Sequence, residues 1–176
     1  TVRALVDNTE MYFIPCVNPD GYLYNELTDP SGGGMWRKNR RDNLDGEFGV
    51  DLNRNYGYQW GFDTIGSSLH TAGETYRGTS AFSEPETQAM RNFLNSRHIL
   101  LSLNYHTYGS HNIIPWGFIP NLLTPDSLQF NYYGHAVTRY NNYRVGTTNQ
   151  TLNYLVNGVA DDWMYGEQTT KQKIFS

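Results

Sequence analysis

Residues 83–108 read SEPETQAMRNFLNSRHILLSLNYHTY, a helix pattern followed by a strand pattern. This pair decides the fold class. Ser83-Glu84-Pro85-Glu86 has capping-box spacing, with Ser83 at the cap and Glu86 three residues on. Ala89, Met90, Phe93 and Leu94 then fall on one helical face. Residues 99–103 read as a buried strand that delivers His106 just past its carboxyl end. In open α/β sheets, ligands bind at the carboxyl ends of strands.

Outward from that pair the same alternation continues. Residues 11–17 form a short apolar run closed by Asn18-Pro19-Asp20-Gly21, a turn signal. A second helix is expected over 125–142, with Leu128, Tyr132, Val137 and Tyr140 inward. A weaker strand covers 143–147, a short helix 161–166, and the opening of another strand 174–176. Residues 25–80 hold many Gly, Asn, Asp and Ser with no long periodic segment, and loops of that length in a domain are usually functional or disordered. Strand and helix signals alternating this way predict an α/β fold, a mixed sheet flanked by helices, with residues 11–17 and 99–103 in one sheet.

Composition excludes several classes. The chain has 176 residues, 38% hydrophobic and 17% charged, enough for one domain with a core. A formal net charge of −4 argues against a nucleic-acid partner. No run of about 18 apolar residues marks a membrane span, and no leader is visible at the start. Arg37, Lys38, Arg40 and Arg41 form one basic cluster. Cys16, the single cysteine, lies in the apolar run and is expected to be a buried, inert thiol. The 14 Tyr suit either a peptide- or sugar-binding cleft or a Tyr-rich core and rim.

Four clusters carry chemistry: residues 17–22 (VNPDGY), 35–40 (MWRKNR), 49–56 (GVDLNRNY) and 102–108 (SLNYHTY). An Arg fork matches a planar carboxylate bidentately, which suits Arg54 to a carboxylate ligand. A fixed cationic donor such as Arg37 suits an anionic intermediate. His106 is a potential metal ligand. Bland readings stand beside these. His106 is alternatively a polar rim residue, Arg54 a loop staple, Tyr154 a surface tyrosine and Asp161 a helix cap.

In this order and spacing the clusters resemble the zinc metallocarboxypeptidases of the pancreatic A/B type, across nearly the whole of residues 1–176. The resemblance implies zinc-dependent removal of residues from peptide C-termini. It makes His106 the third zinc ligand and Arg37 the oxyanion stabiliser. It makes Asn53 and Arg54 the carboxylate holders, and Tyr154 the tyrosine that closes over that carboxylate. Thr107 and Tyr108 would line neighbouring subsites. Asp161, two residues before Trp163, would stand in the side-chain pocket and favour Lys or Arg there. The partners implied are peptide or protein C-termini, and secretion is suggested by the family only.

The family's His-x-x-Glu ligand motif and its catalytic Glu have no counterpart in these residues. His70-Thr71-Ala72-Gly73-Glu74 has one residue too many and reads as loop chemistry. The chain is therefore expected to be an incomplete domain, to hold zinc poorly and to be inactive as it stands. The alternatives are a non-catalytic module that binds peptide C-termini, and, more weakly, a carbohydrate-binding module. An uncovered sheet edge is expected to promote self-association.

Overall fold

A computed structural model describes residues 2–167 and 174–176. Helix α1, Val2–Asn8, is exposed along its length. Helix α2 runs Pro19–Thr28, α3 Pro85–Asn95, α4 Ser127–Val137, α5 Thr148–Leu152 and α6 Ala160–Gly166. Strands β1, His111–Ile113, and β2, Arg144–Gly146, pair in parallel with His111 opposite Arg144. Helices thus accompany a small parallel sheet, an α/β arrangement. Between α2 and α3 the chain is irregular except for a 3-10 turn at Leu52–Arg54.

Asn18-Pro19-Asp20-Gly21 begins a helix rather than closing a turn. Asn18 caps it by accepting from Gly21 N, and Pro19 occupies the first helical position, where a missing N–H costs nothing. A Cβ on Gly21 would lie 2.5 Å from the Lys38 carbonyl, so α2 presses directly on the loop that follows.

Residues 11–17 and 99–103 do not share a sheet. The first is extended but has no ladder among the described residues, and Met11, Phe13 and Ile14 are exposed. Tyr12 instead packs edge-on against Phe93 at 5.3 Å. Cys16 is exposed, not buried, because among the described residues no second layer covers this run. The second segment makes a single parallel bridge, Leu101 to Phe175, with Leu100, Leu101 and Leu103 exposed. A strand is stabilised by its neighbours, and here each run lacks them on most sides.

Two helices differ in detail from the sequence pattern. Glu84, not Ser83, is the N-cap of α3, and no side-chain cap forms. The Ser83 hydroxyl is committed elsewhere, donating to Glu84 Oε1 and accepting from Asn55 Nδ2. Leu94 is buried and Met90 and Phe93 pack on the core, but Ala89 is exposed. Helix α4 is shorter than the expected 125–142: Leu128, Tyr132 and Val137 are exposed, Tyr140 lies beyond its end and is also exposed, and the inward residues are Phe130, Gly134 and the cap residue Thr138. Gly134 sets this face, since a Cβ there would lie 2.6 Å from Val145 Cγ1. Close approach to β2, not the bulkiest apolar residues, chooses the buried side.

Two aromatic clusters form the core. Tyr56, Phe82, Leu94, Trp163, Met164 and Ile174 make one; Ile114, Trp116, Phe118, Phe130 and Tyr165 make the other. Helix α6 supplies residues to both, so its first turn is held rigidly where the irregular loops meet it.

Candidate active site

The site is built on loops braced by α2 and α6. Residues 49–54 turn back under residues 37–39. Gly49 has φ +81°, and a Cβ there would sit 2.3 Å from the Asn39 carbonyl, so only glycine fits the crossing. Asp51 caps the 3-10 turn by accepting from Asn53 N at 3.0 Å, which points its other oxygen at two arginines. Arg37 Nη2 donates to Asp51 Oδ2 at 2.6 Å, and Arg54 Nη1 lies 4.0 Å from the same oxygen.

These three groups carry one surplus positive charge. Asp51 is 2% exposed and Arg54 4%, whereas Arg37 is exposed. Arg54 Nη1 also donates to the Asn53 carbonyl, but its Nε has no partner among the described residues. Burial pushes the Arg54 pKa down and Asp51 pushes it up. A buried cation with an unused donor is costly unless an anion completes it.

Asn53 Oδ1 accepts from Ala160 N at 3.0 Å, fastening the 3-10 turn to the start of α6. That bond orients the carboxamide and leaves its Nδ2 as a donor. Gly158, with φ +67°, allows this closure, because a Cβ on it would lie 2.5 Å from the Arg54 carbonyl.

The other charges singled out in the sequence lie within electrostatic reach. Arg54 feels Arg37, Tyr154 and Asp161 as well as Asp51. His106 has its pKa lowered by desolvation first, with Arg37 and Arg54 lowering it further and Asp51 opposing. His106 is exposed to solvent. Thr107 and Tyr108, joined to each other by a cis peptide, follow it and are exposed, with Tyr108 extended into solvent. Tyr154 is half-exposed beside the cationic centre.

Asp161 does not cap α6. The cap is Val159, without a side-chain bond, and both Asp161 and Asp162 lie in the first turn. Desolvation raises the Asp161 pKa to about 6, against lowering by backbone N–H groups and Arg54. Asp162 is buried and accepts from Gly117 N through both oxygens, at 3.1 and 3.0 Å, and its pKa is also raised, by burial and then by Asp161. The sequence pattern does not mark Asp51 or Asp162 as site residues: an Asp among Gly and Asn, as at Asp51, reads as turn chemistry.

His70 and Glu74 are exposed in surface turns. Among the described residues no three or more His, Cys, Asp or Glu side chains converge to hold a metal ion. His106 is one candidate metal ligand, set among the charges of Asp51, Arg37 and Arg54.

The chain belongs to the zinc carboxypeptidase family, whose profile matches residues 1–175. It is similar to human carboxypeptidase O, with 35% identity over 93% of this chain and 44% of that protein. It is also similar to zinc carboxypeptidase A 1 of Drosophila melanogaster, with 34% identity over 97% of this chain and 39% of the relative. Among solved structures, thrombin-activatable fibrinolysis inhibitor matches 99% of this chain and 44% of its own, with 28% identity and a TM-score of 0.79. The bovine form, in complex with tick carboxypeptidase inhibitor, matches 92% of this chain and 55% of its own, with 29% identity and a TM-score of 0.73. The chain thus spans about half the length, or less, of the relatives it matches.

Proposed function

We propose that these residues recognise peptide C-termini for a zinc-dependent carboxypeptidase, and that the chain by itself binds such ends without cleaving them. The observation that carries this reading is the pair of guanidiniums on one buried carboxylate, with an unused Arg54 donor. Asn53 and Arg54 hold the terminal carboxylate through planar, charge-assisted bonds. Arg37 donates to the oxyanion of the tetrahedral intermediate. Tyr154 closes over the bound end, Thr107 and Tyr108 line adjoining subsites, and Asp161 favours a terminal Lys or Arg. His106 would be one of the residues holding zinc, and a zinc bound there would supply Lewis-acid activation of water. With one ligand, the chain alone holds zinc weakly.

The test compares a peptide with a free C-terminus and the same peptide amidated. Full-length protein containing this chain should cleave the free form roughly 100-fold faster or more, since amidation removes a charge-assisted bidentate contact. Residues 1–176 alone should bind the free form and leave it intact. Equal cleavage of internal and terminal bonds by the full-length protein would overturn the exopeptidase reading. A tight stoichiometric zinc site in residues 1–176 would overturn the binding-only reading.

A further inference from the structure

Arg37 is exposed, and one end of it is fixed by Asp51. Its other end is fixed from helix α2. Asn25 Oδ1 accepts from Trp36 N at 2.9 Å and Asn25 Nδ2 donates to Trp36 O at 2.8 Å, so one carboxamide satisfies both backbone groups of the residue before Arg37. Asn18 Nδ2 donates to the Lys38 carbonyl at 3.0 Å and reaches the Arg37 carbonyl at 3.3 Å. The chain passes so close to α2 that a Cβ on Gly34 would lie 2.5 Å from Asn25 Oδ1.

The Trp36 ring extends the same clamp. Tyr24, the neighbour of Asn25, meets it edge-on at 5.1 Å, and Trp36 Nε1 donates to the Asn39 carbonyl. The Arg40 guanidinium lies over Tyr24, Trp36 and Phe48, at 3.9, 4.4 and 4.8 Å from the ring centres. Cation–π contacts of this kind hold Arg40 as packing rather than as a free charge. Of the basic cluster, Arg37 is the member aimed at the site, and α2 dictates where its backbone starts.

We infer that Asn25 is a positioning residue for Arg37: its paired bonds to Trp36 set the direction in which the guanidinium meets a developing oxyanion. The inference rests on the proposed role of Arg37. A donor to a transition state must be placed to within about 0.5 Å, so loosening its backbone acts on turnover more than on binding.

Two variants test it. Asn25→Ala removes both bonds, while Asn25→Asp keeps the acceptor for Trp36 N and loses the donor to Trp36 O. In full-length protein, Asn25→Ala should lower kcat roughly 10-fold with KM changed less than about twofold, and Asn25→Asp should fall between. In an Arg37→Ala background, Asn25→Ala should have no further effect on kcat. An undiminished loss in that background would mean that Asn25 acts by some other route and would overturn the inference. Nitrogen relaxation of the Arg37 guanidinium gives a readout independent of turnover. Arg37 should become more mobile in both variants, with Arg54 unchanged. Unchanged Arg37 mobility would overturn the inference whether or not the protein cleaves peptides. Increased Arg37 mobility in a full-length protein that cleaves nothing would support the positioning and sink the exopeptidase reading alone.

Discussion

Asp51 holds two arginines whose proposed tasks are different. Arg54 is buried and Arg37 is open to solvent, yet both depend on one carboxylate oxygen. Removing one partner from a buried ion pair strands the other, which costs about 3–5 kcal/mol. Asp51→Asn is therefore expected to lower stability by a few kcal/mol on chemical denaturation and to weaken binding of a free peptide C-terminus. Arg37→Ala should mainly lower kcat in the full-length protein, and Arg54→Ala should mainly weaken substrate binding. Asp161 gives a pH dependence with a definite sign. Its folded pKa is raised to about 6, so between the ordinary carboxylate range and pH 6 the native state binds more protons than the unfolded chain. Stability then falls as pH rises through that window. Asp161→Asn should stabilise the protein at pH 7 by about 1–3 kcal/mol and flatten the thermal-melt profile between pH 4 and 7. The Lys-over-Phe preference in kcat/KM should grow from pH 5 to pH 7 as Asp161 ionises, and vanish in that variant. The charges legible in the sequence, Arg37, Arg54, His106 and Asp161, are neighbours in space. Asp51 was not legible as their organiser, because its meaning depends on two arginines brought together by the loop crossing at Gly49.

At the scale of elements, helix α4 separates propensity from packing. Gly134 is helical, so alanine there would gain about 1 kcal/mol in intrinsic propensity. The added Cβ would meet Val145 Cγ1 at 2.6 Å and Asn112 Oδ1 at 2.8 Å, and overpacking costs about 1–3 kcal/mol. Packing should win, and Gly134→Ala should lower the urea midpoint. Asn18 contributes to two elements at once, capping α2 and bonding the carbonyls of residues 37 and 38. Asn18→Ala should cost more than the roughly 1 kcal/mol of an ordinary cap, and circular dichroism during denaturation measures the difference. Short elements with local signals were readable: β2 and α6 lie where apolar runs and turn residues put them. Residues 11–17 and 99–103 have equally good strand composition, but a strand needs a partner, and composition does not say whether one lies alongside. The buried face of α4 was misread because periodicity weighs large apolar residues and gives a glycine no vote.

At the scale of the whole molecule, the two unpaired runs are among the stretches that expose apolar surface. Phe13 is 84% exposed, and Met11, Leu100, Leu101 and Leu103 are open as well. Patches and unpaired edges of this sort invite pairing with another chain. Residues 1–176 in isolation should associate in a concentration-dependent way by light scattering, and Phe13→Lys with Leu103→Lys should reduce it. A stable monomer with a cooperative melt would count against that expectation. The bond from Ala160 N to Asn53 joins residues 107 positions apart. A ribosome adding roughly 5–20 residues per second needs about 5–20 s to travel that distance. Throughout that interval the nascent chain carries its arginine loops without the α6 turn that fastens them. A pause in translation between residues 54 and 160 would lengthen the time in which the arginine loops stand unfastened, open to proteases and chaperones.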